Sequence, residues 1–170
     1  MGDPSSPTGV ESAVVDVVVS DEQDDVVVDA DRWARLAAAA LIAEGAVGEL
    51  TLTFVDRVEM TSLNTEHMGK ESPTDVLSFP LEPFGSDDPG PSLIGDLVIC
   101  PAVAAEAAPA HAGTLDDELA LLVVHGVLHI VGHDHVDPDE TEVMRRRELE
   151  LLETLHWAGP APVGFVQEQQ

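Results

Sequence analysis

The sequence predicts an α+β (mixed α/β) domain with a small mixed sheet of four strands and about five helices. Two observations carry this. Short β-branched runs alternate along the chain with stretches whose apolar residues recur at helical spacing. One stretch, residues 119–131, is apolar nearly all round, as a helix buried on every side would be. A length of 170 residues suits one domain, and an apolar fraction of 44% suffices for a core. That domain is expected over 12–157, between a disordered Pro/Ser/Gly-rich tail at 1–11 and a flexible tail at 158–170.

The elements follow in order. Ala13–Val19 reads as a strand, followed by an acidic loop and a short valine run at 26–28. Asp29 caps a helix over about 30–44, with Trp33, Leu36, Ala37, Ala40 and Leu41 on one face and Gly45 ending it. Leu50, Leu52 and Phe54 alternate in a half-buried strand at 49–55. Asp56 caps a second helix to about His67, which Gly69 closes. The stretch from Pro73 to Pro80 is bounded by prolines, which cannot donate to a sheet ladder, so it reads as an edge strand. Across a Gly/Pro/Asp loop at 81–92, the strand 93–100 is expected to pair with it antiparallel. Pro101 starts a short helix to about 111 that Pro109 kinks or ends. Thr114 opens the buried helix, whose first turn holds Asp116, Asp117 and Glu118, where the helix dipole favours negative charge. Asp137, Pro138 and Glu140 start a last helix, 138–156.

Seven Lys and Arg against 33 Asp and Glu give a net charge of −26. Such acidity repels nucleic acid at long range, although a local cationic groove remains compatible with it. Adaptation to high salt, or solubility, is the plainer reading; an acidic docking surface is the sharper one. The lone Cys100 precludes an internal disulfide and is expected to be a small buried hydrophobe. With neither a basic, apolar leader nor a bilayer-length apolar run, a cytoplasmic protein is expected, with no membrane partner.

Four of the seven histidines fall between His125 and His135. His125 and His129 are four apart, so a helix presents both on one face, about 5–6 Å apart at their β-carbons. Gly132 allows the chain to turn at the helix end, and His135 can then return toward the same ion. Three histidines and an open position describe a catalytic zinc site. His133 competes with His135 for the third place. A residue directly after the turn glycine points off the helix end, which favours His135. Asp134 suits an outer carboxylate that orients a ligating imidazole.

These eleven residues, with Pro73–Pro80 and the Gly95–Pro101 strand, resemble the bacterial YbeY family of rRNA maturation endoribonucleases over most of 13–156. The resemblance implies a small sheet covered by helices with one zinc ion in a cleft, held by His125, His129 and His135. It also implies metal-dependent cleavage of single-stranded rRNA in 16S 3′-end processing and quality control, at the small ribosomal subunit, with no DNA substrate. Two positions depart from the family. His67-Met68-Gly69-Lys70 stands where Tyr-Arg-Gly-Lys is common, so Met68 replaces an arginine associated with RNA. His133 stands where tyrosine is usual.

The histidine spacing also matches the metzincin proteases, which carry a glutamate base directly after the first histidine. Here that residue is Gly126, which argues against peptide hydrolysis. The metal-bound water is then the one catalytic group expected, and either it or the RNA 2′-hydroxyl attacks. Lys70, the only lysine, is a candidate phosphate contact or an ordinary surface residue. Asp75 and Ser78 line the cleft or serve the edge strand, the second being favoured. Arg145–Arg147 resemble a nucleic-acid patch but are better read as a solvated face through Glu142–Arg146 and Arg146–Glu150 pairs. A metal-stabilised ribosome assembly factor with little cleavage is the alternative function, favoured by Met68 and the acidity.

Overall fold

The computed structural model describes residues 14–81, 93–133 and 137–167. The expectations for the tail at 1–11, for the loop at 81–92 beyond Leu81, for Asp134 and His135, and for the last three residues of the tail at 158–170 lie outside them. Four strands form one sheet in the order β1-β2-β4-β3: β1 (Val15–Asp21), β2 (Gly48–Phe54), β3 (Val76–Pro80) and β4 (Leu93–Ile99). β1, β2 and β4 run parallel, and β3 is the antiparallel edge, with Ser78 opposite Leu97. The mixed sheet and the edge placement of the two-proline strand agree with expectation. β1 starts and ends two residues later than read, because its pairing with β2 runs on to Asp21 opposite Phe54. The valine run forms no strand. Gln23 holds that loop instead, with its amide donating to Val26 O at 2.8 Å and Asp21 Oδ1 at 2.9 Å.

Local chemistry sets the helices. α1 (Ala30–Ala43) is capped by Asp29, which accepts from Arg32 N, and buries Trp33, Leu36, Ala37, Ala40 and Leu41. α2 (Arg57–Met68) is capped by Asp56 and closed by Gly69 at φ +72°, a left-handed turn suited to glycine. α3 (Pro101–Ala107) passes into a single 3₁₀ turn at Ala108–Ala110, where Pro109 cannot supply a helical N–H. α4 (Leu115–Ile130) starts at Thr114, whose hydroxyl accepts from Asp117 N. α5 (Pro138–Leu151) starts at Asp137, which accepts from Glu140 N, and continues as a wider π-type turn from Leu152 to Trp157.

The core lies between the sheet and α1 and α4. Leu50, Leu52 and Phe54 of β2 and Leu97 and Ile99 of β4 are wholly buried against it. α4 is the keel. From Leu119 to Ile130 every residue is buried except His125 and His129, which are half-buried. Two glycines let it lie close to the sheet. A β-carbon on Gly126 would stand 2.3 Å from Leu97 Cδ1, and one on Gly95 would stand 3.0 Å from Ile130 Cγ2. Among the described residues no helix is long and apolar enough to cross a membrane.

Residues 158–167, expected to be a flexible tail, are placed against the body. Phe165 packs edge-on to Trp157 with ring centroids 4.8 Å apart, and Val166 N donates to His111 O at 3.0 Å. The lone aromatic in this segment supplies the apolar contact that a Gly/Pro-rich stretch would otherwise lack.

Candidate metal centre and cleft

α4 brings His125 and His129 onto one face, their rings edge-to-face with centroids 4.6 Å apart. Both line an open cleft of about 680 Å³. The opposite wall comes from the end of α2 and from β3, with Asn64, Met68, Lys70, Thr74, Val76 and Ser78. The turn holding Lys70 is pinned to α2: Lys70 N donates to Asn64 O at 3.3 Å, Thr65 Oγ1 donates to Lys70 O at 3.0 Å, and Asn64 Nδ2 donates to Ser72 O at 2.8 Å. Lys70 is exposed and forms no ion pair among the described residues. Met68, half exposed, presents a thioether to the same wall. Ser78 therefore faces the cleft as well as pairing in the sheet. Asp75 lines a smaller cavity of about 180 Å³ behind His125, and its backbone carbonyl accepts from Cys100 N at 2.9 Å.

Gly132 ends the histidine helix as the spacing predicts, at φ +110°. Its N–H donates to His129 O, and His133 N–H donates to Leu128 O at 2.9 Å. His133 then leaves the helix end, and its Nε2 lies 3.4 Å from Glu44 Oε1 at the end of α1. Glu44 also accepts from Arg147 Nε at 2.5 Å, which raises the arginine above its ordinary pKa. One carboxylate thus joins α1, α5 and the turn after α4. His133 still borders the cleft. Among the described residues no three His, Cys, Asp or Glu side chains gather as a metal site. The third histidine of the motif, His135, is outside those residues.

Gly126 is buried, and a β-carbon on it would be directed at Leu97 in the core, so a larger residue here would have to displace that side chain. The three arginines divide. Arg146 pairs with Glu142 at 3.3 Å as expected, but Glu150 is taken by Arg147 at 3.0 Å and not by Arg146. Arg147 is drawn inward by Glu44, a partner on another helix.

Glu148 escaped sequence reasoning. It is 3% exposed, its Oε2 meets His125 Nδ1, and its Oε1 accepts from Gln167 Nε2 at 2.8 Å. The signal was present: Met144, Glu148 and Leu151 share the buried face of α5, so a glutamate occupies a core position. His111 and His156 carry other pairs away from the cleft, with Glu118 at 3.3 Å and Asp117 at 2.8 Å.

Comparisons with known proteins agree on a family. The model of the family described as Endoribonuclease YbeY matches residues 18–156. The protein named Endoribonuclease YbeY from Mycolicibacterium vanbaalenii is 44% identical over 128 residues, covering 72% of this chain and 68% of the relative. That of Mycolicibacterium gilvum is 49% identical over 111 residues, covering 62% of each chain. That of Mycobacterium tuberculosis is 43% identical over 128 residues, covering 72% of this chain and 71% of the relative. Among solved structures, TM1509 from Thermotoga maritima superposes with a TM-score of 0.53 at 22% identity, covering 84% of this chain and 93% of that one, a likeness of fold.

Proposed function

The chain belongs to the YbeY endoribonuclease family, and on that premise we propose that it is a zinc-dependent endoribonuclease. Its substrate in this reading is single-stranded rRNA at the small ribosomal subunit, in the cytoplasm, with 16S 3′-end maturation and ribosome quality control as its role. The observation that supports it is the pair of imidazoles on one face of α4, opening on a cleft whose far wall carries Lys70.

The donor set fits zinc. Two neutral imidazoles four residues apart suit a tetrahedral ion that prefers nitrogen ligands. The contact of His125 Nδ1 with a buried carboxylate is the arrangement ligating histidines usually show. His125 and His129 would hold the ion, with His135 as the third ligand that the motif supplies. Zinc there supplies Lewis acidity to a phosphoryl oxygen and acidity to a coordinated water. The protein's own part is positional. Lys70 offers an ammonium to a phosphate on the opposite wall. Ser78 offers a hydroxyl along it, while the buried Asn64 holds the turn that carries Lys70. The open cleft admits a single strand, and Gly126 leaves no base for peptide hydrolysis.

A second reading, a metal-stabilised ribosome assembly factor with little cleavage, is favoured by Met68 on the cleft wall and by the net charge of −26. One experiment separates the two. A single-stranded RNA spanning a 16S 3′ end is incubated with the zinc-loaded protein, with and without chelator. Cleavage is expected to disappear with chelator and in His129→Ala, and Lys70→Ala should weaken RNA binding. Chelator-resistant cleavage would sink the zinc dependence. Stoichiometric zinc without cleavage would leave the assembly factor.

A further inference from the structure

Glu148 is a carboxylate on the core side of a helix whose other face is solvated. Its neighbours on that face, Met144 and Leu151, are 2% exposed each, and Glu148 itself is 3% exposed. A charge so placed is unfavourable unless hydrogen-bonded. Both oxygens are engaged, one with His125 Nδ1 and the other with Gln167 Nε2 at 2.8 Å. The Gln167 amide also donates to Arg145 O at 3.0 Å, so it grips α5 at two points one turn apart. The segment bearing Gln167 is itself anchored by Val166 N on His111 O and by Phe165 on Trp157.

We infer that Glu148 is a positioning residue for His125, and that Gln167 in turn holds Glu148. A carboxylate at Nδ1 favours the tautomer with its proton there, which puts the lone pair on Nε2, the nitrogen that then ligates. It also fixes the ring about its Cβ–Cγ bond. Ligating imidazoles held in this way bind metal about 10–100-fold more tightly than those whose outer partner is removed. Gln167 occupies the second oxygen, so the carboxylate cannot turn away from the ring. The C-terminal segment, far from the cleft in sequence, is thereby connected to the metal centre through one side chain. This inference rests on the zinc reading above.

The test uses the full chain. In the metal-free protein at pH 8, long-range ¹H–¹⁵N correlation should show His125 as the Nδ1–H tautomer, and Glu148→Met should lose that preference. Zinc affinity, measured by competition with a chromophoric chelator, should fall about 10–100-fold in Glu148→Gln and Glu148→Met, and by a smaller factor in Gln167→Ala. Glu148→Gln keeps the side-chain volume, and circular dichroism confirms the fold before titration. If folded variants keep the parent affinity, the inference is wrong while the zinc reading stands. A parent protein that binds no zinc overturns both. Should the variants fail to fold, the parent's tautomer decides: an Nε2–H ring at His125 overturns the inference.

Discussion

A methyl group at Gly126 would meet Leu97 Cδ1 at 2.3 Å, closer than any real contact. Leu97 is wholly buried and has little room to turn aside. Two terms oppose each other in Gly126→Ala. Helix propensity favours alanine by about 1 kcal/mol. Overpacking costs about 1–3 kcal/mol. Destabilisation should win in the parent, read as a lower midpoint in urea unfolding. In a Leu97→Ala background the clash is gone, so the same substitution should become neutral or stabilising. That change of sign is the diagnostic result, and an unchanged cost would show that Leu97 is not the obstacle. Cys100 behaves as its composition suggested: it is wholly buried, and burial pushes its thiol above the usual range.

At the scale of elements, what was legible was local. Asp29, Asp56, Thr114 and Asp137 cap the helices they precede because a cap is a contact made within three residues. Gly69 and Gly132 end helices because a positive φ is a property of one residue. Asp137→Ala should cost about 1 kcal/mol of stability, measurable by denaturant unfolding, and Asp137→Asn should recover most of it. The contacts that build the surroundings of the site were not legible. Glu148 reaches His125 across 23 residues and Arg147 reaches Glu44 across 103, and no period or spacing encodes such pairs. The exchange of Arg147 for Arg146 as partner of Glu150 has the same origin. Helical spacing allows both pairs, and the position of α1 selects one. Of the candidate ligands, His125 and His129 were placed by a helical period. The choice between His133 and His135 turns on the chain after Gly132, where Glu44 stands 3.4 Å from His133, a neighbour that the local sequence does not display.

The whole molecule carries 33 acidic side chains and only seven lysines and arginines, and among the described residues Arg32, Arg57, Arg146 and Arg147 are already ion-paired. Self-repulsion of this kind destabilises the compact state and is relieved by salt. The screening length shrinks from about 10 Å at 0.1 M to about 3 Å at 1 M. Sodium chloride across that range should therefore raise the thermal midpoint by at least about 2–4 °C, the shift that 1 kcal/mol produces in a chain of this size. A midpoint that is flat or falls would show that the acidic groups are spread too widely to repel. RNA binding should likewise tolerate salt better than that of a basic nuclease, because few cations release counterions here.

The floor and the wall of the cleft belong to different parts of the protein. The floor is α4, whose residues also make the core, so His125 and His129 cannot be moved without disturbing Val124, Val127 and Leu128. The wall is the capped end of α2, a turn and an edge strand, where Met68, Lys70 and Ser78 contribute little to the interior. Changes of side chain at these three positions should be nearly neutral for folding. On the function proposed above, a lineage could therefore exchange what the wall recognises while keeping its histidines, and the methionine at position 68 sits where such drift is least expensive.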